Sequence, residues 1–231
     1  MTPATGGQPE RVQQIVAAAA TVMGRAGFAA ASIKEIALEA GCAQGLVHYY
    51  FATKEDLLAA VVESLCAEIQ ADVVTAFADT GAEPLARIAV GLERTRARFE
   101  QRPEVMRLVC EMVAVSTTNT AARSHLVALY RRVGDLTQQI VHEINVQLPV
   151  ALPVPESAFA DVIVAAIDGL ALRVVIDPDF DLAAAYSALN FLLIAAGATG
   201  YAVAGEPIGL EDLTGLMMGR SREAHRADGA P

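Results

Sequence analysis

The stretch SIKEIALEAGCAQGLVHYYFATKEDLL, residues 32–58, holds two helix starts, one sharp stop and both lysines of the chain, Lys34 and Lys54. Ser32 followed three residues later by Glu35 is a capping box, in which the hydroxyl takes an amide of the first turn and the carboxylate reaches back to the cap amide. Thr53 and Asp56 repeat that spacing. Between them, Ile33, Ile36, Ala37 and Ala40 fall on one helical face, and Gly41 supplies the positive φ at which a helix stops sharply. Gln44 to Tyr50 reads as a further short helix. Two short helices joined by a glycine-containing turn form a helix-turn-helix.

Working outward, a helix from about Glu10 carries Val12, Ile15, Val16, Ala19, Val22, Met23 and Ala26 on one face, with Gly27 as its C-cap. Ile36, Ala37, Val47 and Phe51 can pack the two short helices against it. Gln44, Gly45, Leu46, His48 and Tyr49 are then left to project from the start and outer face of the second helix. In such motifs that part enters the major groove of DNA. Gln44 can bond bidentately to adenine, Leu46 can touch a thymine methyl, and Gly45 lets the backbone come close. Tyr49, Tyr50 and the helix starts at Ser32 and Thr53 can hold phosphates, with Lys34 and Lys54 flanking as point charges.

The same stretch resembles the DNA-binding domain of TetR-family transcriptional regulators. The family pattern has a Thr or Ser opening helix two, then IA..AG, a Gly opening helix three, an aromatic cluster ending in Phe, and KE.L. Ser32, Ile36-Ala37, Ala40-Gly41, Gly45, His48-Tyr49-Tyr50-Phe51 and Lys54-Glu55-Leu57 match it at the same spacing. A shorter stretch, AAIDGLALRVVIDPDFD (165–181), is similar to the C-terminal domain of repressors that control choline-to-glycine-betaine genes. Two departures matter. Ala43 stands where the family has a Ser or Thr cap, a loss of about 1 kcal/mol, and His48 replaces the commoner Tyr. Residues 1–60 hold four basic and five acidic side chains. Charge alone therefore does not drive DNA binding, and local placement, helix N-termini and dimerisation must supply it.

The whole chain, 231 residues with a formal charge of −10, is 54% hydrophobic, which excludes wholesale disorder and allows a sizeable core. No stretch alternates with a strand period, so the fold class is all-α: an N-terminal helix-turn-helix domain followed by a C-terminal helical ligand-binding and dimerisation domain. The expected division is a loose tail at 1–9, the DNA-binding domain at 10–60, the second domain at 61–205 and an extension at 206–231. A long helix from Thr53 joins the two and is expected to act as their hinge. Further helices are predicted at about 84–100, 103–119, 121–147, 156–176 and 181–198, with DPDFD (177–181) as a turn. GLEDLTGLMMG is predicted as a short terminal helix.

Cys42, Cys66 and Cys110 make no metal or disulfide spacing, and an odd count fits a reducing cytosol. No signal peptide is read at the N-terminus. The four histidines are dispersed, and no nucleophile or phosphate-loop motif occurs, so no metal, cofactor or enzymatic activity is expected. Residues 182–205 lack charge and are long enough for a membrane span. Their Ala/Gly content, their internal Tyr186, Ser187, Asn190 and Thr199, and their acidic flanks favour a buried or dimer-interface helix.

By the family resemblance, helices 156–176 and 181–198 pair with their copies in a homodimer. Two reading helices about 34–36 Å apart demand a palindromic operator. Candidates for an effector pocket are Phe77, Leu92, Arg96, Phe99, Met106, Cys110, Val113, His125, Leu129, Tyr130, Val133 and Ile167, with Glu111 and Asp168 as further polar groups. The reading is a cytoplasmic, ligand-responsive regulator, with repression favoured over activation. The alternative is an all-helical small-molecule-binding or catalytic protein whose helix-turn-helix serves only packing. Neutral substitutions at Gln44, Lys34 and Lys54 separate the two.

Overall fold

The computed structural model describes residues 8–77 and 84–203, and its secondary-structure elements are all helical. They are α1 (Gln8–Ala26), α2 (Ile33–Glu39), α3 (Gln44–Tyr50), α4 (Lys54–Phe77), α5 (Pro84–Gln101), α6 (Glu104–Ser116), α7 (Thr120–Asn145), α8 (Glu156–Ile176) and α9 (Leu182–Val203). The all-α expectation holds for these residues, and α3 has the predicted bounds. Helix α6 ends at Ser116, short of 119, because Thr117 and Thr118 turn their hydroxyls back onto the carbonyls of Ala114 and Val115. The Arg123 guanidinium then takes the carbonyls of Ser116 and Thr117. Helix α9 continues past 198 to Val203, with no proline in that stretch to stop it. The terminal helix predicted around GLEDLTGLMMG lies outside the described residues.

The chain forms two compact units, one of residues 1–68 with 103–130 and the other of 69–102 with 131–231. The helix-turn-helix is thus part of a larger body that also takes in α6 and the start of α7. Its core is built from Ile15, Ala19, Val22 and Met23 of α1, Ile36 of α2, Val47 of α3, Leu57 and Leu58 of α4, and Leu108 and Met112 of α6, all essentially inaccessible. Each such side chain contributes roughly 1.5–3 kcal/mol of burial free energy. Gly24 lets α6 approach α1, since a Cβ there would lie 3.3 Å from Glu104 Cγ.

In the second unit, Leu85, Ala86, Ile144, Leu148 and Ile194 form the core, with Phe77, Ile88, Ile140 and Leu152 packed around it. Helices α5 and α9 are in close contact: a Cβ on Gly197 would meet Leu85 Cδ2 at 2.5 Å. Among the described residues no helix is long and apolar enough to cross a membrane.

Candidate nucleic-acid interface

Both capping boxes form. Ser32, in extended backbone, accepts the Glu35 amide on its hydroxyl at 3.2 Å, while the Glu35 carboxylate accepts the Ser32 amide at 3.0 Å and the Ser32 hydroxyl at 2.7 Å. These bonds from the Ser32 hydroxyl and amide hold the Glu35 carboxyl below the usual carboxylate range. At the start of α4, Thr53 N donates to Asp56 and Asp56 N to the Thr53 hydroxyl, each at 3.0 Å. The Ser32 hydroxyl is therefore engaged in ordering α2. The amides of Ile33 and Lys34 stand outside that box.

Helix α2 stops as the sequence implies. Gly41 takes φ 59°, its N–H donates to Leu38 O, and Cys42 N–H donates to Ala37 O at 2.9 Å. Ala43 then caps α3 in extended backbone with no side-chain hydrogen bond. Val47 is wholly buried, which turns the opposite face outward: Gln44, Gly45, His48 and Tyr49 are exposed, while Leu46 and Tyr50 are half-buried. Tyr49, 72% exposed, meets Tyr50 edge-on with ring centroids 5.0 Å apart. A Cβ on Gly45 would find nothing within 4 Å, so no neighbour in the chain requires glycine there.

The two lysines differ. Lys34 is exposed on α2. Lys54 is half-buried, its ammonium donating to Ala29 O at 3.2 Å and standing 4.6 Å from the centre of the Phe28 ring. It is a cross-link within the fold as well as a charge beside α3.

A family model of bacterial regulatory proteins of the tetR family matches residues 15–61, and a second, for the C-terminal part of BetI-type transcriptional repressors, matches residues 84–195. The chain belongs to the TetR family. It is 34% identical over 131 residues to the HTH-type transcriptional regulator BetI of Rhizobium meliloti, covering 56% of this chain and 64% of that one. To BetI of Stenotrophomonas maltophilia it is 29% identical over 172 residues, covering 74% and 84%. In fold it is similar to the transcriptional regulator FadR from Bacillus subtilis, solved in complex with stearoyl-CoA, with a TM-score of 0.66 at 18% identity over 80% of this chain and 98% of that one.

In this TetR-family chain the residues expected to form an effector pocket are divided between the two units. Met106, Cys110, Val113, His125, Leu129 and Tyr130 fall in the first unit, and Phe77, Leu92, Arg96, Phe99, Val133 and Ile167 in the second. Met106 and Leu129 are buried, whereas His125 and Val113 are exposed. Phe77 packs over Gly91. Glu111 accepts the Phe28 amide.

Leu92 and Arg96 do line a depression of about 490 Å³ between α5 and α9, with Glu93, Tyr186, Ser187 and Asn190. Arg96 is clamped by Glu93 and Glu100 on its own helix. Its bond to Glu93 lowers that carboxyl's pKa and raises the guanidinium's. Tyr186 is 3% exposed and its hydroxyl has no hydrogen-bond partner among the described residues. Burial first, and Asp168 second, push its pKa up against the opposing pull of Arg96, so it stays a proton donor. The sequence reading placed Tyr186, Ser187 and Asn190 in a buried or dimer-interface helix and not among the pocket candidates. Their signal was the i, i+1, i+4 spacing of polar groups in an otherwise apolar helix.

Proposed function

We propose that the protein is a homodimeric DNA-binding transcriptional regulator that represses by holding a palindromic operator and releases it on binding a small molecule. The observation that carries this is α3 itself: a helix seated by one fully buried residue, Val47, that turns Gln44, Gly45, His48 and Tyr49 to solvent in a segment matching the family's DNA-binding model. Gln44 and His48 are the base-reading candidates, Leu46 a methyl contact, and Lys34, Tyr49 and Tyr50 the phosphate contacts. Lys54 contributes both charge and position.

Dimerisation through α8 and α9 is supported by what those helices expose. Val162 (65%), Ile176 (69%), Phe191 (50%) and Leu192 (62%) form apolar surface that a second copy would cover. An effector in the α5/α9 depression would accept a hydrogen bond from the Tyr186 hydroxyl. An effector that binds better to the arrangement of reading helices that mismatches the operator releases the DNA.

The test is selection from random duplexes with purified protein at two salt concentrations. Recovery of a palindrome, lost with Gln44→Ala and Tyr49→Ala, establishes the reading. If no sequence is enriched even at low salt, the net −1 of residues 1–60 decides against DNA binding, and the helix-turn-helix is a packing device.

A further inference from the structure

The turn between α1 and α2 is gripped by two groups of opposite charge. The Phe28 amide donates to Glu111 Oε2 of α6 at 2.7 Å, between partners 83 positions apart in the chain. A Cβ on Gly27, which takes φ 83°, would come within 3.3 Å of Glu111 Oε1. The carboxylate therefore lies against the turn, one oxygen beside Gly27 and the other on the Phe28 N–H. Lys54 reaches the same turn, its ammonium on Ala29 O at 3.2 Å and over the Phe28 ring at 4.6 Å. Lys54 is the first residue of α4, four positions after the last of α3. All of these residues belong to one compact unit.

A backbone N–H given to a carboxylate makes a charge-assisted bond that fixes the peptide plane. Here the plane is that of residues 27–28, and it fixes in turn where the Phe28 ring and the Ala29 carbonyl stand. Those two groups seat Lys54. The seat sets the start of α4 and, through the short link from Phe51 to Thr53, the end of α3. We propose that Glu111, a residue of α6 outside the helix-turn-helix, is a positioning residue for operator recognition, acting through the Phe28–Ala29 turn on Lys54 and thereby on α3.

This inference rests on the reading of α3 as the DNA-contacting helix, so the experiment carries its own control. Using the selected operator duplex and a scrambled duplex of equal length, Kd is measured for the full-length protein and for Gln44→Ala, Glu111→Ala, Glu111→Gln, Lys54→Ala and the Glu111→Ala/Lys54→Ala pair. If Gln44→Ala leaves the operator-to-scrambled ratio unchanged, the DNA reading itself has failed, whatever Glu111 does. Given that control, Glu111→Ala is expected to lower the ratio about tenfold, the scale of one charge-assisted hydrogen bond. Glu111→Gln, whose amide oxygen can still accept from Phe28, recovers most of it. The double variant is expected to match Lys54→Ala alone, because both act through one seat. A purely structural loss would lower the active fraction and leave the ratio at wild type, which overturns the proposal. Additive effects of Glu111→Ala and Lys54→Ala, or no rescue by glutamine, overturn it equally. Should Glu111→Ala not fold, Glu111→Asp, which withdraws the carboxylate by one methylene, is read by the same ratio.

Discussion

The missing cap on α3 offers a perturbation whose effects on stability and on DNA binding can be driven in opposite directions. Ala43 already has the backbone a cap needs, φ −73° and ψ 143°, close to the −106° and 148° of Ser32, which does cap its helix. Ala43 is exposed, so a hydroxyl or carboxylate meets no wall. The third residue of α3 is Leu46, not a glutamate, and its amide already turns to Ala43 O at 2.9 Å. Only the cap side of a box can be restored. Ala43→Ser is therefore expected to add about 1 kcal/mol, and Ala43→Asp about the same or a few tenths more from the helix dipole. For a domain of this size that raises the melting midpoint by about 2–4 °C per kcal/mol. On the selected operator the two variants part. Ala43→Ser binds at least as tightly as wild type. Ala43→Asp, more stable yet carrying a negative charge at the start of the reading helix, binds more weakly, and its deficit shrinks as salt rises. Thermal unfolding and fluorescence anisotropy at two salt concentrations suffice. If Ala43→Asp binds operator as tightly as wild type at low salt, the start of α3 is not at the phosphates, and the docking derived from its exposed face is refuted.

Other consequences can be checked separately. Lys34→Ala is expected to lower the slope of log K against log salt by about one unit with little change in melting temperature; an unchanged slope removes Lys34 from the contact. Phe191→Lys, placing a charge on the exposed face of α9, is expected to shift sedimentation equilibrium from dimer to monomer, and a persisting dimer locates the interface elsewhere. Glu156 accepts from Asn145 at 2.7 Å and pairs with His142 at 3.0 Å, which, with Asn145 dominant, holds its pKa below the usual carboxylate range. A lowered folded-state pKa adds stability that is present above the unfolded value and is lost as pH falls through the folded one. Glu156→Gln should thus be less stable than wild type in urea at pH 7, with a gap that closes on acidification; a gap independent of pH contradicts this. Gly197→Ala should cost about 1–3 kcal/mol, read as a lower urea midpoint, because its Cβ would meet Leu85 Cδ2 at 2.5 Å.

What could be read from the sequence was what a few consecutive residues determine. Ser32 and Glu35, Thr53 and Asp56, and Gly41 each act within one helical turn, so their spacing alone located α2, α3 and the start of α4. The burial of Val47 followed as well, because a seven-residue helix has room for little more than one inward position. The grip on the turn at Phe28 depends on Glu111, 83 positions away, and no local pattern marks a carboxylate that will meet a backbone amide. From sequence Glu111 was a polar candidate for the effector pocket, and Lys54 looked like a free charge. The same limit explains the effector candidates. Apolar residues at helical spacing show that α5, α6 and α7 each have an inner face, but not which helix each face meets, and α6 packs with α1 while α5 packs with α9. Once α5 and α9 are partners, Leu92 and Arg96 acquire Tyr186 as a neighbour, and a hydroxyl that seemed a mere interruption of an apolar run becomes a buried donor with no hydrogen-bond partner among the described residues. The DNA-binding half is thus specified largely by local rules, and the regulatory half by pairings between distant helices. Substitutions that keep the helical pattern can therefore change the depression between α5 and α9 while leaving α3 in place.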